Sequence, residues 1–497
     1  KGGLTAHAGG FIGVNENNLT IHSNTSGAGF VRVSPFFTTK VPGTMPNAKV
    51  LFTTKANMNA GDNRDASWQY MGAPGRGASM QKAASTVLYL RSEQWGWLPY
   101  WNESVVALEP FAGYALTQKE QADFTFQSQL INDDQTISLT YTEEGMQGDN
   151  LWANSYMAPI DIKKIGDEDF TGNIEKTIYL YNSGSWNQWN TDKNPITEAE
   201  EQPGRYYAIP VGSARALDAT YDQTVIPPMQ GVYMVATDGG GALKLSYKKH
   251  VWNTESDDMN RPLRMGEKHA KPDNYLANIL RVRLQVNSLN SGADRMYIIQ
   301  DASSTSDYDN GYDAPKHLLS GLMNIYTNEP FGKMEISSTD HMDGMYIGFA
   351  AGEDEAYTMT FTSLIGEELY LRDLQQDSLI HMTNGEQYQF LATPHSVNDL
   401  RFQLLLNPSL EEDWNNQGGV MTGLENLAQA RVWIADGMVY ITNAPANSTL
   451  SVYSVGGMCL YASHMANEAP CTLDLSHLPT GVYVLRLNNQ AYKFVCK

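Results

Sequence analysis

Apolar and polar residues alternate in short runs along most of this chain. The alternation is clearest from Ile279 to Leu406, where about eight such runs follow one another at regular spacing. An apolar side chain at every second position is typical of a strand with one buried face, because successive side chains point to opposite sides. The pattern predicts an all-β fold, with a β-sandwich or jelly-roll-like module at residues 279–407.

The last part of the chain predicts a second module of the same class. Short apolar runs pair there across Asp436-Gly437, Gly456-Gly457 and Asn488-Asn489, dipeptides that suit tight turns. The spacing predicts a small antiparallel, Ig-like β-sandwich at residues 424–497. Its expected core consists of Val432, Ile434, Val452, Leu473, Leu475, Tyr483 and Leu485.

Within residues 61–253, one sequence pattern occurs twice. Each copy has a Trp, a Leu-Tyr strand, a turn with paired Trp residues and a Pro-x-x-Gly strand. The copies start at Trp68 and Trp152, and Pro110 and Gly113 match Pro228 and Gly231. We predict a β-sandwich of two related halves, with an inserted loop at residues 192–224 of the second half.

The remaining segments complete the predicted domain organisation. Residues 1–60 are rich in Gly and Asn between short apolar runs, which is typical of the end of a β-roll or β-helix. Residues 254–278 and 408–423 are polar and predict linkers. The chain begins within patterned sequence, so we expect a processed or truncated product.

Composition excludes several classes of function. The chain has 34 Lys and Arg against 55 Asp and Glu, a formal net charge of −21. So acidic a surface repels phosphate backbones and anionic lipid, which argues against nucleic-acid and membrane-surface roles. The sequence contains no apolar run long enough to cross a bilayer.

Motifs of catalysis and metal binding are missing from the sequence. It has no nucleophile elbow, phosphate-binding loop or zinc-protease helix, and no paired carboxylates can be assigned from spacing alone. The spacing of Cys459, Cys471 and Cys496 does not match a metal-binding motif. We therefore expect the three cysteines to be small buried hydrophobic residues, with at most one disulfide among them.

Aromatic clusters are the strongest signal of ligand binding. Trp95, Trp97, Tyr100 and Trp101 lie within one turn region, and Trp186 and Trp189 occupy the corresponding region of the second half. Flat, rigid rings stack on sugar faces, but recurring rings can equally form a shared core. The two interpretations differ in exposure, and we predict that at least one indole, with Trp101 first, is exposed to solvent.

An acidic loop raises the question of a cation. Asp307, Asp309 and Asp313 offer the hard oxygen ligands that Ca²⁺ prefers. However, Gly311 does not fit the spacing of an EF-hand, and Asp and Asn also favour turns through bonds to their own backbone. Calcium binding and a solvated turn both remain open; we expect no other cofactor.

The terminal module resembles the C-terminal sorting domain of the type IX secretion system. The residues that carry the resemblance are Val452, Tyr453, Gly457, Tyr461, Leu478, Pro479, Gly481, Val482, Tyr483, Tyr492, Lys493 and Lys497. In the block at 279–407, the matching motifs are Asp294-Arg295-Met296-Tyr297, Asp309-Asn310-Gly311-Tyr312-Asp313-Ala314, Tyr346-Ile347-Gly348-Phe349 and Glu368-Leu369-Tyr370-Leu371. With these motifs the block resembles β-sandwiches of large surface proteins of Gram-negative gut and oral anaerobes. These resemblances imply a secreted or surface-associated protein of a Gram-negative bacterium, placed at the exterior of the outer membrane.

The functional expectation is an exported, adhesin-like protein that binds an extracellular glycan or a surface protein without catalysis. Two alternatives stay open. The chain could supply the ancillary β modules of a glycan-active enzyme, or it could be a purely structural stalk.

Overall fold

The computed structural model divides this chain into two compact units, Lys1–Gln376 with His381–Asn407 and Asp377–Ile380 with Pro408–Lys497. Strands dominate both units, so the predicted all-β fold is confirmed. Among the described residues, helix is confined to single turns, and no helix is long and apolar enough to cross a membrane. The described residues are 3–5, 19–23, 30–32, 45–55, 68–184, 204–251, 275–289, 292–366, 368–406, 431–435, 438–442, 449–454, 459–464, 471–475, 478–479, 481–487 and 490–496.

The opening segment contains parallel strand pairs. β1 pairs with β3 and β2 with β4, both in parallel, as neighbouring rungs of a β-helix would. The strands are β1 (Gly3–Thr5), β2 (Thr20–Ser23), β3 (Phe30–Arg32) and β4 (Asn47–Thr53).

The first Trp segment, residues 68–117, forms a four-stranded antiparallel sheet in the order β5-β10-β7-β8. A separate pair, β6 and β9, accompanies it. The strands are β5 (Gln69–Met71), β6 (Ser79–Gln81), β7 (Val87–Ser92), β8 (Gly96–Pro99), β9 (Val105–Ala107) and β10 (Tyr114–Thr117).

The second Trp segment, residues 149–245, repeats this strand order as β13-β19-β16-β17. Its last strand, β19, is long and also pairs with β12 and β15. β11 (Asp123–Gln129) precedes this segment and pairs with β4 of the opening segment. The other strands here are β12 (Gln135–Leu139), β13 (Asp149–Ala153), β14 (Ile160–Asp161), β15 (Phe170–Ile174), β16 (Thr177–Tyr181), β17 (Tyr206–Pro210), β18 (Val225–Ile226) and β19 (Gly231–Leu245).

The register corrects two details of the predicted duplication. Tyr114 pairs with Met71 and Val232 with Trp152, so with Gly113 and Gly231 aligned, Trp152 takes the place of Met71 and not of Trp68. Trp152 faces the core, whereas Trp68 is half-buried on the other face. The loop expected at 192–224 is also wrong in part, because β17 lies there as the fourth strand of the second sheet.

The two sheets are related by approximate two-fold symmetry, and we call the line where their edges meet the seam. Met71 bridges to Gln230, and Ala112 bridges to Trp152, which are equivalent positions. A Cβ atom on Gly113 would lie 2.4 Å from Leu151 Cγ, and one on Gly231 would lie 2.5 Å from Tyr70 Cβ. The matched glycines therefore permit the close approach of the two sheets.

The described residues of the two Trp segments belong to two hydrophobic cores. One is built from the opening strands, the first Trp segment and β11, with Val50, Met80, Leu88, Tyr114 and Phe126 among its buried members. The other joins the second Trp segment to residues of the following block, including Ile178, Ile209, Val232, Ile299 and Ile336. The second Trp segment and the 279–407 block therefore share one core.

The 279–407 block forms a large sheet whose strands follow the order β27-β30-β25-β23-β24-β21-β20-β26-β29, with β22 beside β24. β21 pairs with β24 in parallel, and the other pairings along this order are antiparallel. The strands are β20 (Leu280–Ser288), β21 (Gly292–Gln300), β22 (Ala314–Pro315), β23 (Asn324–Glu329), β24 (Gly332–Thr339), β25 (Tyr346–Ala350), β26 (Ala356–Ile365), β27 (Leu369–Asp373), β28 (Ser378–His381), β29 (Gln387–Leu391) and β30 (Val397–Leu406).

The second unit contains two antiparallel sheets, β31-β32-β35 and β34-β33-β36-β37. Of the predicted core, Val452, Leu475, Tyr483 and Leu485 are buried. Cys459 is an exposed free thiol, so its expected burial is wrong. The strands are β31 (Arg431–Ala435), β32 (Met438–Thr442), β33 (Thr449–Ser454), β34 (Cys459–His464), β35 (Cys471–Asp474), β36 (Gly481–Leu487) and β37 (Gln490–Cys496).

A buried cluster of charges joins the second Trp segment to the large sheet. Asp294 lies 3.2 Å from Arg205 and 2.7 Å from Lys316, and all three side chains are almost fully buried. Burial opposes the charge on Asp294, but the two cations and the backbone N–H of Ile325 outweigh it. They hold the pKa of this carboxyl below its usual range.

The acidic loop, residues 301–313, forms a second connection to the second Trp segment. Asn310 accepts a hydrogen bond from the Lys176 backbone N–H and donates one to the Ile174 carbonyl, each at 2.8 Å. The Asp313 carboxylate accepts two backbone hydrogen bonds, from Asp309 and Ser338, each at 2.7 Å. Burial nevertheless raises the pKa of Asp313 to about 6, and the like charges of Asp309 and Glu329 add to this.

Replacing Asp294 with Asn should lower the free energy of unfolding by about 3–5 kcal/mol, because two buried cations lose the carboxylate that both contact. Urea denaturation followed by tryptophan fluorescence measures the loss. The matched control is Asp133→Asn, which breaks an exposed pair with Arg76 at 2.9 Å and should cost at most about 1 kcal/mol. Equal losses in the two variants would contradict a stabilising role for the buried cluster.

Asp313→Asn should change how stability depends on pH. In the unfolded chain this carboxyl ionises near its ordinary pKa of 3.8, while in the folded protein it holds its proton until about pH 6. Wild-type stability should therefore fall, relative to the variant, as pH rises from about 4 to 6, by up to about 3 kcal/mol. Thermal denaturation of both proteins across about pH 3.5–7.5 tests this. Parallel curves would show that Asp313 titrates normally.

Candidate functional site

One face of the two related sheets is lined with aromatic rings. Tyr89 pairs with Pro99 and Arg91 with Trp97, so the odd-numbered side chains of β7 and β8 share this face. In the second sheet, Tyr181 pairs with Tyr206 on the same face. We call this surface the aromatic face; it comprises Trp68, Tyr70, Tyr89, Trp97, Trp101, Tyr181, Tyr206 and Tyr233.

The rings are in continuous contact across the seam. In the first sheet, the centroid of Tyr89 lies 5.5 Å from Trp101 and 6.5 Å from Trp97. Trp97 lies 5.8 Å from Tyr70, and Tyr70 stacks on Tyr181 of the second sheet at 4.4 Å. This stacked pair makes one surface out of the two sheets.

The surface continues along the second sheet to the large sheet. Tyr206 lies 5.2 Å from Tyr181 and 5.3 Å from Tyr233. His317 lies 5.4 Å from Tyr206. Burial lowers the pKa of His317 below its usual value, which favours the neutral imidazole.

The three indoles of the predicted turn region are exposed. The exposed fractions are 70% for Trp95, 39% for Trp97 and 59% for Trp101. The predicted exposure, including that of Trp101, is confirmed, and the alternative of a core position is wrong for these three rings. Whether they bind a ligand stays a prediction.

The other predicted aromatic residues have different outcomes. Tyr100 directly follows β8 and is half-buried against the core beneath the first sheet, with its ring 6.5 Å from Tyr114. Trp186 and Trp189 lie outside the described residues. At the β17 position that matches Trp97, the second sheet places Tyr206.

Buried hydrogen bonds support the turn that presents Trp95. Glu93 is buried at the start of this turn and accepts hydrogen bonds from the backbone of Thr142 at 2.8 Å and of Gly148 at 3.0 Å. Burial opposes its charge, but these bonds and the Thr142 hydroxyl hold the pKa of Glu93 below its usual range. The anchored carboxylate ties the turn to the loop between β12 and β13.

The polar groups described on the aromatic face include phenols and the ion pair of Arg91 with Asp149. The Tyr70 and Tyr206 hydroxyls lie 2.8 Å apart, and burial raises the pKa of both, so they stay neutral and can donate and accept hydrogen bonds. Arg91 lies over the Trp97 ring at 5.1 Å and pairs with Asp149 at 3.5 Å. Such an arrangement suits recognition of a polar ligand with flat faces.

The residues of the predicted calcium loop do not converge. Asp309 accepts hydrogen bonds from the backbone and hydroxyl of Thr305, and Asp313 is bonded to two backbone N–H groups. Asp307 is exposed. Within the described ranges, no group of three His, Cys, Asp or Glu side chains is placed to hold a metal ion. Calcium binding stays a prediction, and this geometry does not support it.

Sequence reasoning missed the tyrosines that connect the indoles. Tyr70, Tyr89, Tyr181 and Tyr206 each occupy an outward position of a short strand. The alternation of Tyr with Leu in β7 and β16 is the signal that could have placed them on one face.

Comparisons with known proteins connect this architecture to export. Residues 435–497 match the family model described as a secretion system C-terminal sorting domain. The chain is also similar to the minor fimbrium subunit Mfa5 of Porphyromonas gingivalis, with 27% identity over 410 residues. That alignment covers 76% of this chain and 32% of the relative, so the chain spans about a third of the curated relative's length.

The terminal match confirms the resemblance carried by the tyrosine, glycine and lysine pattern of residues 452–497. The C-terminal segment of this chain is a type IX secretion sorting domain, and the protein is one that is secreted or displayed at the cell surface.

Proposed function

We propose that this protein is an adhesin-like subunit of a fimbrial type of surface structure, and that its aromatic face binds glycans or related surface molecules without catalysis. The observation that carries the proposal is the exposure of Trp95, Trp97 and Trp101 beside a continuous row of tyrosines. The export signal and the similarity to a fimbrial subunit support the surface role.

The physical argument rests on the arrangement of exposed indoles. Large aromatic side chains are normally turned inward, and a cluster that remains exposed usually marks an interaction surface. Here Trp97 and Trp101 are braced edge-on by Tyr89, so little conformational freedom would be lost on binding. A sugar ring could stack on an indole while its hydroxyls bond to Arg91 and the phenols.

The phenols of this face suit hydrogen bonding better than proton transfer. Burial raises the pKa of Tyr70, Tyr181, Tyr206 and Tyr233, and lowers that of His317. The phenols therefore stay protonated at neutral pH. Neutral hydroxyls suit hydrogen bonding, whereas a general base needs a pKa near the working pH.

Trp101→Ala should weaken glycan binding with little effect on folding. Loss of an exposed stacking ring in a binding site typically costs about 2 kcal/mol, or about thirty-fold in affinity. A glycan array with plant, mucin and host glycans identifies ligands for the full chain, and titration of the best ligand measures the affinity of each variant. The thermal midpoint should hardly change, because the ring is 59% exposed.

Leu391→Ala is the matched control, since Leu391 is equally exposed at 59% on β29, outside the aromatic face. It should leave glycan binding unchanged. If the wild-type chain binds none of the glycans on the array, the result would favour the structural stalk instead. Release of reducing sugar from a bound polysaccharide would favour the glycan-active enzyme.

A further inference from the structure

The most exposed part of the aromatic face follows a single strand. β8 is extended, so Trp97 and Pro99 point to the same side, and the face continues to Trp101 just after the strand. All three residues are exposed, and we call them the indole track. Among the described pairings β8 is bonded only to β7, so the indole track lies at the edge of its sheet.

The two indoles of the track are separate stacking surfaces. Trp97 and Trp101 are four residues apart, and in extended chain this places their backbones on the order of 10 Å apart. Tyr89, which pairs with Pro99 between them, contacts both rings edge-on, with centroid distances of 6.5 and 5.5 Å. A sugar ring is shorter than this separation, so one sugar stacks on one indole. A ligand that uses the whole indole track must therefore contain several sugars in a row.

The indole track continues into exposed chain at both ends. Trp95 is exposed on one side, and residues 102–104 are exposed on the other. A site that recognises a terminal sugar is normally concave and surrounds that sugar. An edge-strand surface with exposed ends instead suits a polysaccharide that runs past it in both directions.

The charges beside the indole track disfavour an acidic ligand. Arg91, which lies 5.1 Å from the Trp97 ring, is already paired with Asp149 at 3.5 Å. Glu103 adds an exposed carboxylate two residues after Trp101. On a chain with a net charge of −21, these groups repel a polyanion and leave an uncharged glycan as the better match.

The edge position also raises the alternative of a peptide that adds to the sheet as a further strand. Tyr100 donates its backbone N–H to Leu88 of β7 at 3.0 Å, so the alternate positions Trp97 and Pro99 direct their backbone nitrogens away from β7. Proline has no N–H to donate, and prolines on edge strands obstruct strand addition. The side chains of the indole track, and not its backbone, are therefore the binding groups.

We propose that the indole track binds the interior of a linear, uncharged polysaccharide with β-1,4 linkages. This inference rests on the proposed function of the aromatic face and names the class of its ligand. The β-1,4 linkage keeps such a chain nearly straight, so that its sugars present flat apolar faces along a line, as the indoles are arranged along β8. An α-1,4-linked chain coils and leaves this line.

Calorimetric titration of the full chain with β-1,4-linked di- and hexasaccharides of glucose, mannose, xylose and N-acetylglucosamine tests the inference. At least one hexasaccharide should bind about ten-fold or more tightly than its disaccharide. Maltohexaose, the coiled α-1,4-linked counterpart, should bind at least about ten-fold more weakly than the best of them.

The outcomes separate this inference from the proposed function. Equal affinity for disaccharide and hexasaccharide, equally tight binding of maltohexaose, or no binding of any hexasaccharide would overturn the inference. In each of these cases, a different glycan retained on the array would still support the proposed function. If no glycan of any kind binds, both fall together.

Variants assign the binding to the indole track. Trp97→Ala and Trp101→Ala should each weaken hexasaccharide binding about ten-fold or more. Each should also reduce the advantage of the hexasaccharide over the disaccharide, because one stacking surface remains. Leu98→Ala is the matched control, since Leu98 is 38% exposed against 39% for Trp97 and alternates with it on the same strand. It should leave both affinities unchanged. A full length advantage in both tryptophan variants would place the ligand elsewhere and overturn the assignment.

Discussion

The close approach of the two related sheets at their seam is the constraint on which the rest of the first unit depends. Gly113 and Gly231 occupy equivalent positions, and a methyl group at either would overlap the opposite strand. Only because the backbones meet so closely can Tyr70 of one sheet stack on Tyr181 of the other. The seam therefore decides both the packing of the halves and the continuity of the aromatic face.

Near the seam, the backbone is held in an uncommon conformation. Phe111 and Met229 follow the matched prolines and both have positive φ, at 62° and 63°. The left-handed region is unfavourable for such large side chains, so the surrounding contacts must hold them there. Their carbonyls accept hydrogen bonds from Ala153 and Gly72 of the opposite sheet. The same strained turn, used twice, gives the two halves their common geometry.

Buried ion pairs fix the relative orientation of elements that apolar packing alone would leave free to rotate. Hydrophobic contact between the second Trp segment and the large sheet tolerates many orientations, whereas ion pairs such as Arg205 with Asp294 require one. The ion pairs therefore contribute structural specificity in this region, while the aromatic face relies on rings and neutral phenols.

The sequence by itself determined the fold class, the export signal and the exposure of the indoles. Alternation of period two is a local property of strands, the sorting-domain pattern is local as well, and Trp101 precedes a polar turn. The pattern also contained the duplication, since both segments carry the same Pro-x-x-Gly strand.

Only the tertiary structure decided the register of that duplication and the composition of the sites. Trp152 aligns with Met71 because equivalent positions in the two sheets are defined by strand pairing and not by residue identity. Tyr70 and Tyr181 are far apart in sequence, and Arg295 meets Asp222 across two segments. Contacts of this kind depend on how sheets pack, and no local pattern encodes the packing.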